Sequence, residues 1–212
     1  MAKKSMYMQQ IIGNNAQIVN MWNTFVGMIW NKRRILNRQR KNILGSCFMK
    51  SKFDDWIKKV KIIIDSREKN IKHIIDVFDR MDIKYKIQKL DIGDYCFCYD
   101  DEIFKCIVER KNSLDELSQN FSINRDRFKR EFEKLTEDSF CHLLIEQNTL
   151  NDLICGNYRS QINRNSFLAS LLSFEYRYNI RTHFVEKKYT AFYITKLFFY
   201  YYMSKINHLT PC

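Results

Sequence analysis

An α/β protein with a central mixed β-sheet flanked by helices and a helical N-terminal extension is what this sequence predicts, on three observations. From residue 59 onward, short β-branched apolar runs alternate with segments of helical periodicity. Glycine and proline are scarce, 5 and 1 in 212 residues, which favours ordered elements over linkers. Charge is segregated: the formal net charge of +12 divides into +9 for residues 1–58, −3 for 59–155 and +6 for 156–212. The length allows one well-buried domain, residues 59–212, and an appendage, residues 1–58.

In the appendage, Ile11, Ile18, Trp22, Phe25 and Ile29 recur at helical steps, and Ile12, Val19 and Val26 widen the stripe. The same segment holds Asn14, Asn15, Gln17, Asn20 and Asn23, too polar a set for a spanning helix. A basic run follows with Lys32, Arg33, Arg34, Arg38, Arg40 and Lys41. It reads equally as a solvated helix end and as a DNA-contacting arm. A partner-binding helix is a further reading, and a membrane-surface helix ranks behind these.

In the domain, Val60 to Ile64 is a strand ending in Asp65. Lys69 to Met81 is a helix with Ile71, Ile74, Ile75 and Phe78 inward, and Lys84 to Leu90 alternates as a half-buried strand. Tyr95 to Tyr99 and Cys106 to Val108 form the arms of a hairpin turned at Asp100-Asp101-Glu102. Ser113-Leu-Asp-Glu116 is a capping box opening a helix. Arg125 to Leu135 is a helix with Phe128, Phe132 and Leu135 on one face. Cys141 to Ile145 is a buried strand with Glu146 at its end. Asn163 to Tyr178 and Lys188 to Met203 are helices around a short strand, Thr182 to Val185.

Seven cysteines (Cys47, Cys96, Cys98, Cys106, Cys141, Cys155, Cys212) form no Cys-x-x-Cys pair, and the four histidines are dispersed. This pattern excludes a zinc site or a disulfide framework and reads as small buried hydrophobes in a reducing, intracellular compartment.

The chemistry concentrates on the hairpin. On a strand, Glu109 and Lys111 share one face and Arg110 takes the other. The hairpin brings Asp94, which opens the first arm, beside Glu109. Two carboxylates bind a hard divalent cation through oxygen, and a lysine beside them orients water or offsets charge. Carboxylates at the centre and basic ends suit a polyanionic partner.

Three pieces, Ile64-Asp65-Ser66-Arg67-Glu68, Gly93-Asp94-Tyr95 and Val108-Glu109-Arg110-Lys111 with Asp115 after three more residues, together resemble the nuclease domain of the XPF-type structure-specific endonucleases, a branch of the PD-(D/E)XK superfamily. Phage and viral stand-alone versions look most similar. The resemblance covers Val60 to Glu146 and runs on loosely to residue 205. It implies a restriction-endonuclease-like core and a Mg²⁺-dependent DNA endonuclease, with Mn²⁺ as a substitute and no small-molecule cofactor. Its substrate would be branched or structured DNA in replication, recombination or repair. Asp94 and Glu109 match the family's principal metal ligands, Asp65 its additional acid and Lys111 its catalytic lysine. Arg110 and Asp115 fill the remaining catalytic signature positions. Arg67 matches a basic residue near the scissile phosphate, and Arg125 and Arg127 match basic residues that contact substrate phosphates. A homodimer through the aromatic C-terminal helix is also expected. The family's helix-hairpin-helix module has no counterpart here, and Lys32, Arg33 and Arg34 stand in for part of its DNA contact. Two other readings remain: a catalytically idle DNA-binding subunit, and a host-interaction protein on the same fold.

Overall fold

The structure, a computed structural model, describes residues 49–209, with side chains as far as residue 206. The amphipathic stripe of residues 11–29 and the basic run with Lys32, Arg33 and Arg34 lie outside the described residues. The chain divides between Lys52 and Phe53, and the unit below runs from Phe53.

Among the described residues the sheet has six strands: β1 (Val60–Asp65), β2 (Lys84–Gln88), β3 (Tyr95–Tyr99), β4 (Glu102–Lys111), β5 (Phe140–Ile145) and β6 (Ile180–Phe184). The spatial order is β2-β1-β3-β4-β5-β6. β1 and β3, and β3 and β4, pair antiparallel, while β1 with β2, β4 with β5 and β5 with β6 pair parallel. The helices are α1 (residues 49–59), α2 (Lys72–Arg80), α3 (Leu114–Phe121), α4 (Arg125–Phe132), α5 (Leu150–Cys155), α6 (Arg164–Tyr178) and α7 (Thr190–Leu209). This is the expected mixed sheet flanked by helices.

Two layers of apolar side chains cover the sheet. On one face Ile107, Cys141, Leu143, Ile145 and Ile180 meet the inward residues of α3 to α6, with the rings of Phe121, Phe128, Phe132, Phe167 and Phe174 between them. On the other, Phe97 packs against Phe198 of α7 and Trp56 of α1, at 4.9 and 6.0 Å between ring centres. In α7, Ala191, Ile194, Thr195, Phe198 and Phe199 are buried, at the spacing of one helical stripe. Thus Phe198 and Phe199 of this aromatic helix fill the core of a single chain. The exposed aromatic residues of α7 are Phe192 and Tyr200. No helix among the described residues is long and apolar enough to cross a membrane.

Several boundaries differ from the sequence expectation for local reasons. The first helix of the α/β part starts at Lys72, three residues late, because Asn70 takes a left-handed conformation (φ 56°) that interrupts the turn. Ser113 caps α3, accepting from the Glu116 N–H, but the Glu116 carboxylate reaches Asn112 N–H, one residue before the box position. The hairpin turn places Asp100 and Asp101 both at positive φ, 48° and 66°, as a two-residue connection with strand-matched twist requires. Helix α5 was not expected. Cys96, Cys98, Cys106 and Cys141 are buried free thiols, whereas Cys155 is exposed.

Candidate active site

The site is built by the irregularity in the β3–β4 hairpin. Near the turn, Phe97 faces Phe104 and Cys98 faces Ile103, but farther along Tyr95 faces Val108, so β4 accommodates two extra residues between these pairs. That shift brings Asp94 alongside Glu109. Gly93 makes the entry possible: it has φ +69°, and a Cβ there would lie 2.2 Å from Ile107 Cγ2. The Asp94 N–H then donates to the Val108 carbonyl at 2.9 Å, and Arg110 N–H donates to Asp94 Oδ2 at 2.7 Å. Asp94 is thereby fixed from both sides.

Glu109 and Lys111 are each 8 % exposed and point to the face covered by α3 and α4. Lys111 Nζ is 2.6 Å from Glu109 Oε1, 4.0 Å from Glu116 Oε1 and 5.3 Å from the centre of the Phe128 ring. Burial, then the Glu109 and Glu68 carboxylates, hold the acid form of Asp94 well above the usual carboxylate range, against the pull of Lys111. Burial works against the charge of Lys111, but Glu109 and Asp94 outweigh it and keep the amine protonated. Crowded carboxylates with a cation already among them describe a pocket that attracts positive charge. Among the described residues no group of three or more His, Cys, Asp or Glu is clustered for metal ligation. The Asp94–Glu109 pair is instead of the kind Mg²⁺ uses, with one or two carboxylates and the rest of the shell from water and phosphate.

Arg110 points to the opposite face, as strand alternation requires. Its guanidinium is buried: Nε donates to Glu68 Oε1, Nη1 to Glu146 Oε2 at 2.9 Å and Nη2 to the Lys69 carbonyl at 2.8 Å. The Tyr95 hydroxyl donates to the same Glu68 carboxylate at 3.1 Å. Arg110 therefore works as a fastener behind Asp94 rather than as a group open to a substrate.

The other expected residues separate. Asp65, 2 % exposed, accepts from Arg67 N–H (2.7 Å), Arg67 Nε (2.8 Å), Arg67 Nη2 (2.9 Å) and Leu90 N–H (2.7 Å). Burial alone would raise its pKa, but Arg67 and these backbone donors bring it down to about 2. Both oxygens are thus committed to hydrogen bonds, and Asp65 joins Asp94 only through its own N–H, which donates to the Asp94 carbonyl at 2.8 Å. Arg67 also donates to the Leu90 carbonyl, while its side chain stays 60 % exposed beside the pocket. Asp115 faces away from the pair. Its carboxylate accepts from Arg159 and Ser160 N–H at 2.7 and 2.9 Å, tying α3 to the loop before α6. Arg125 turns inward to the Phe121 carbonyl, the Ser170 hydroxyl and the face of Phe174, which makes it a brace between α4 and α6 rather than a phosphate contact. Arg127 is exposed and pairs with Glu131 at 3.3 Å, four residues on.

Sequence reasoning missed Glu68, His73, Glu146 and Thr190 as parts of the site's support. The acid after the Asp-Ser-Arg sequence and the glutamate closing a buried strand were the available signals: a carboxylate at the end of a buried run needs a partner.

The sequence profile of the ERCC4 domain matches residues 64–197. Among solved structures, the chain is similar to XPF from Aeropyrum pernix, with 23 % identity over 65 % of this chain and 59 % of that one and a TM-score of 0.49. It is also similar to XPF from Aeropyrum pernix in complex with DNA, with 20 % identity over 71 % of this chain and 68 % of that one and a TM-score of 0.50. The chain thus spans 59 % of the length of the first of these. A search of curated proteins found no match.

Proposed function

We propose that this chain, which belongs to the ERCC4 domain family, is a metal-dependent endodeoxyribonuclease acting on branched or structured DNA in replication, recombination or repair. The observation that carries the reading is the convergence of Asp94, Glu109 and a protonated Lys111 at the end of the hairpin, beside exposed Arg67. The similar Aeropyrum pernix structure that was determined with DNA supports the choice of substrate class.

Asp94 and Glu109 would hold Mg²⁺, or Mn²⁺ in its place. The ion would polarise a phosphoryl oxygen, lower the pKa of water and offset charge on the leaving oxygen. Lys111 is charged, so it acts as a cation and hydrogen-bond donor, not as a base. With Glu109 holding the ion, Lys111 would be free to face the attacking water or the phosphoryl oxygens. Arg67, oriented by Asp65, presents its guanidinium to the adjacent phosphate. Arg127 extends the phosphate track along α4. The outward aromatics of α7, Phe192 and Tyr200, offer a face for a homodimer.

The test is a labelled panel of flap, fork, four-way junction, single-strand and duplex DNAs, incubated with Mg²⁺ or Mn²⁺. The wild type is expected to cut at least one branched form. Asp94→Ala and Glu109→Ala are expected to lose cleavage while binding the same DNA in Ca²⁺. Wild-type-level cutting by either variant would sink the reading, and binding without any cutting by the wild type would favour an idle DNA-binding subunit. Light scattering that finds only monomer at high concentration removes the dimer.

A further inference from the structure

We propose that Glu146 is a positioning residue for the nuclease site, acting through Arg110; this rests on the nuclease reading above. Glu146 follows β5 and is fully buried. Its Oε2 accepts from Arg110 Nη1 at 2.9 Å, and its Oε1 accepts from the Thr190 hydroxyl at 2.5 Å and lies 3.0 Å from His73 Nε2. Its own N–H donates to the Lys111 carbonyl at 2.8 Å. One residue therefore grips Arg110 by the side chain and Lys111 by the backbone, from the face of the sheet opposite Glu109 and the Lys111 amine.

The consequence follows from strand geometry. Side chains alternate, so the residue pinned behind the sheet sets the pleat of the residues in front. Arg110 is pinned by Glu146, Glu68 and the Lys69 carbonyl, and its N–H holds Asp94 Oδ2. Glu146 thus fixes the orientation of both proposed metal ligands without touching the pocket. Without Glu146, Arg110 would keep only the Glu68 carboxylate and the Lys69 carbonyl as partners of its guanidinium, and its hold on the strand would loosen. Apolar side chains usually fill such a buried space at no loss of stability, so a buried carboxylate–guanidinium cluster there points to orientation rather than to packing.

Glu146→Gln is the test. It keeps the shape and the acceptor for Thr190 but turns an amide N–H toward Arg110. On the full chain, Mn²⁺ binding is measured by calorimetry without DNA, DNA affinity in Ca²⁺, and single-turnover cutting in Mg²⁺ on the DNA form that the wild type cuts best. Mn²⁺ affinity and the single-turnover rate are each expected to fall about 10- to 100-fold, the range for groups that orient metal ligands, with DNA affinity held within about twofold. A variant with lowered melting temperature but wild-type Mn²⁺ affinity and rate would overturn the proposal. If Glu146→Gln does not fold, Thr190→Val, which removes one of the two partners of Oε1 and leaves His73, is read the same way: a severalfold loss of Mn²⁺ affinity supports positioning and no loss overturns it. A wild type that takes up no Mn²⁺ and cuts nothing defeats the nuclease reading itself, and is seen before any variant is compared.

Discussion

Replacing Gly93 with alanine tests how the hairpin delivers Asp94. Two costs add. At φ +69° an L side chain pays about 1–2 kcal/mol. The new Cβ would lie 2.2 Å from Ile107 Cγ2, and Ile107 is buried under α3 to α6 with a stiff β-branched side chain. Forcing such an overlap into a packed core costs about 1–3 kcal/mol more. The total, about 2–5 kcal/mol, is a large part of the stability of an ordinary domain and lowers the melting temperature by roughly 5–20 °C at this size. The origin is separable. Ile107→Leu removes the branch at Cβ at nearly constant volume, and alone costs less than about 1.5 kcal/mol. In a double-mutant cycle followed by thermal unfolding without metal, Gly93→Ala and Ile107→Leu should therefore couple favourably by at least about 1 kcal/mol. The Gly93→Ala protein that remains folded should cut DNA about a hundredfold more slowly, because Asp94 is displaced. A melting temperature within about 2 °C of wild type, or strictly additive variants, would refute the argument.

Three other outcomes are expected. Asp65→Asn should destabilise the metal-free protein by about 2 kcal/mol at pH 7, since the carboxyl is held near 2 instead of its usual 3.8. A lowered acid pKa stabilises above the unfolded value and is lost as pH falls, so the deficit should close between pH 4 and 2 in a thermal-unfolding series; a deficit independent of pH would count against the Arg67 pairing. Arg125→Ala should lower stability by about 1 kcal/mol, through its lost hydrogen bonds to Phe121 and Ser170, without changing DNA affinity. Arg127→Ala should do the reverse, weakening all DNA forms alike and reducing the salt dependence of binding by about one counterion in a titration against salt.

The sequence pattern was informative where the physical signal was local. β1, the hairpin and β5 are runs of β-branched or apolar residues bounded by turn formers, and α6 begins at Asn163, whose side chain caps it. The pairing of Glu109 with Lys111 and the opposite facing of Arg110 follow from strand alternation alone. The misses have different causes. Helix α5 is six residues long, too short for periodicity, though Thr149 with Asp152 and the left-handed Gly156 mark both its ends. Arg125 sits three residues before Phe128, on the face that turns inward, so its inward turn was legible in the same stripe that placed Phe128 and Phe132. The support behind the site was not legible. Arg110 meets Glu68 and Glu146 across 42 and 36 residues of chain, and His73 meets Glu146 across 73, separations that leave no periodic trace.

The Glu-Arg-Lys sequence is read most usefully as two devices on one strand. The outer pair, Glu109 and Lys111, forms an ion pair at 2.6 Å facing α3 and α4, so the two charges neutralise each other. The middle residue faces the other way into a closed set of carboxylates and carbonyls. These devices make opposite demands. In the proposed reaction the front would exchange partners, while the back would stay fixed. A sheet strand meets both because its pleat separates neighbours by face while its backbone keeps them in fixed register. Asp94 joins the two: its carboxylate lies in the field of the front pair, and its Oδ2 is held by the N–H of the residue locked behind. Conservative changes at Arg110 should therefore act like changes in front. Arg110→Lys, which keeps the charge but loses the three-way grip, is expected to impair Mn²⁺ binding as well as cutting.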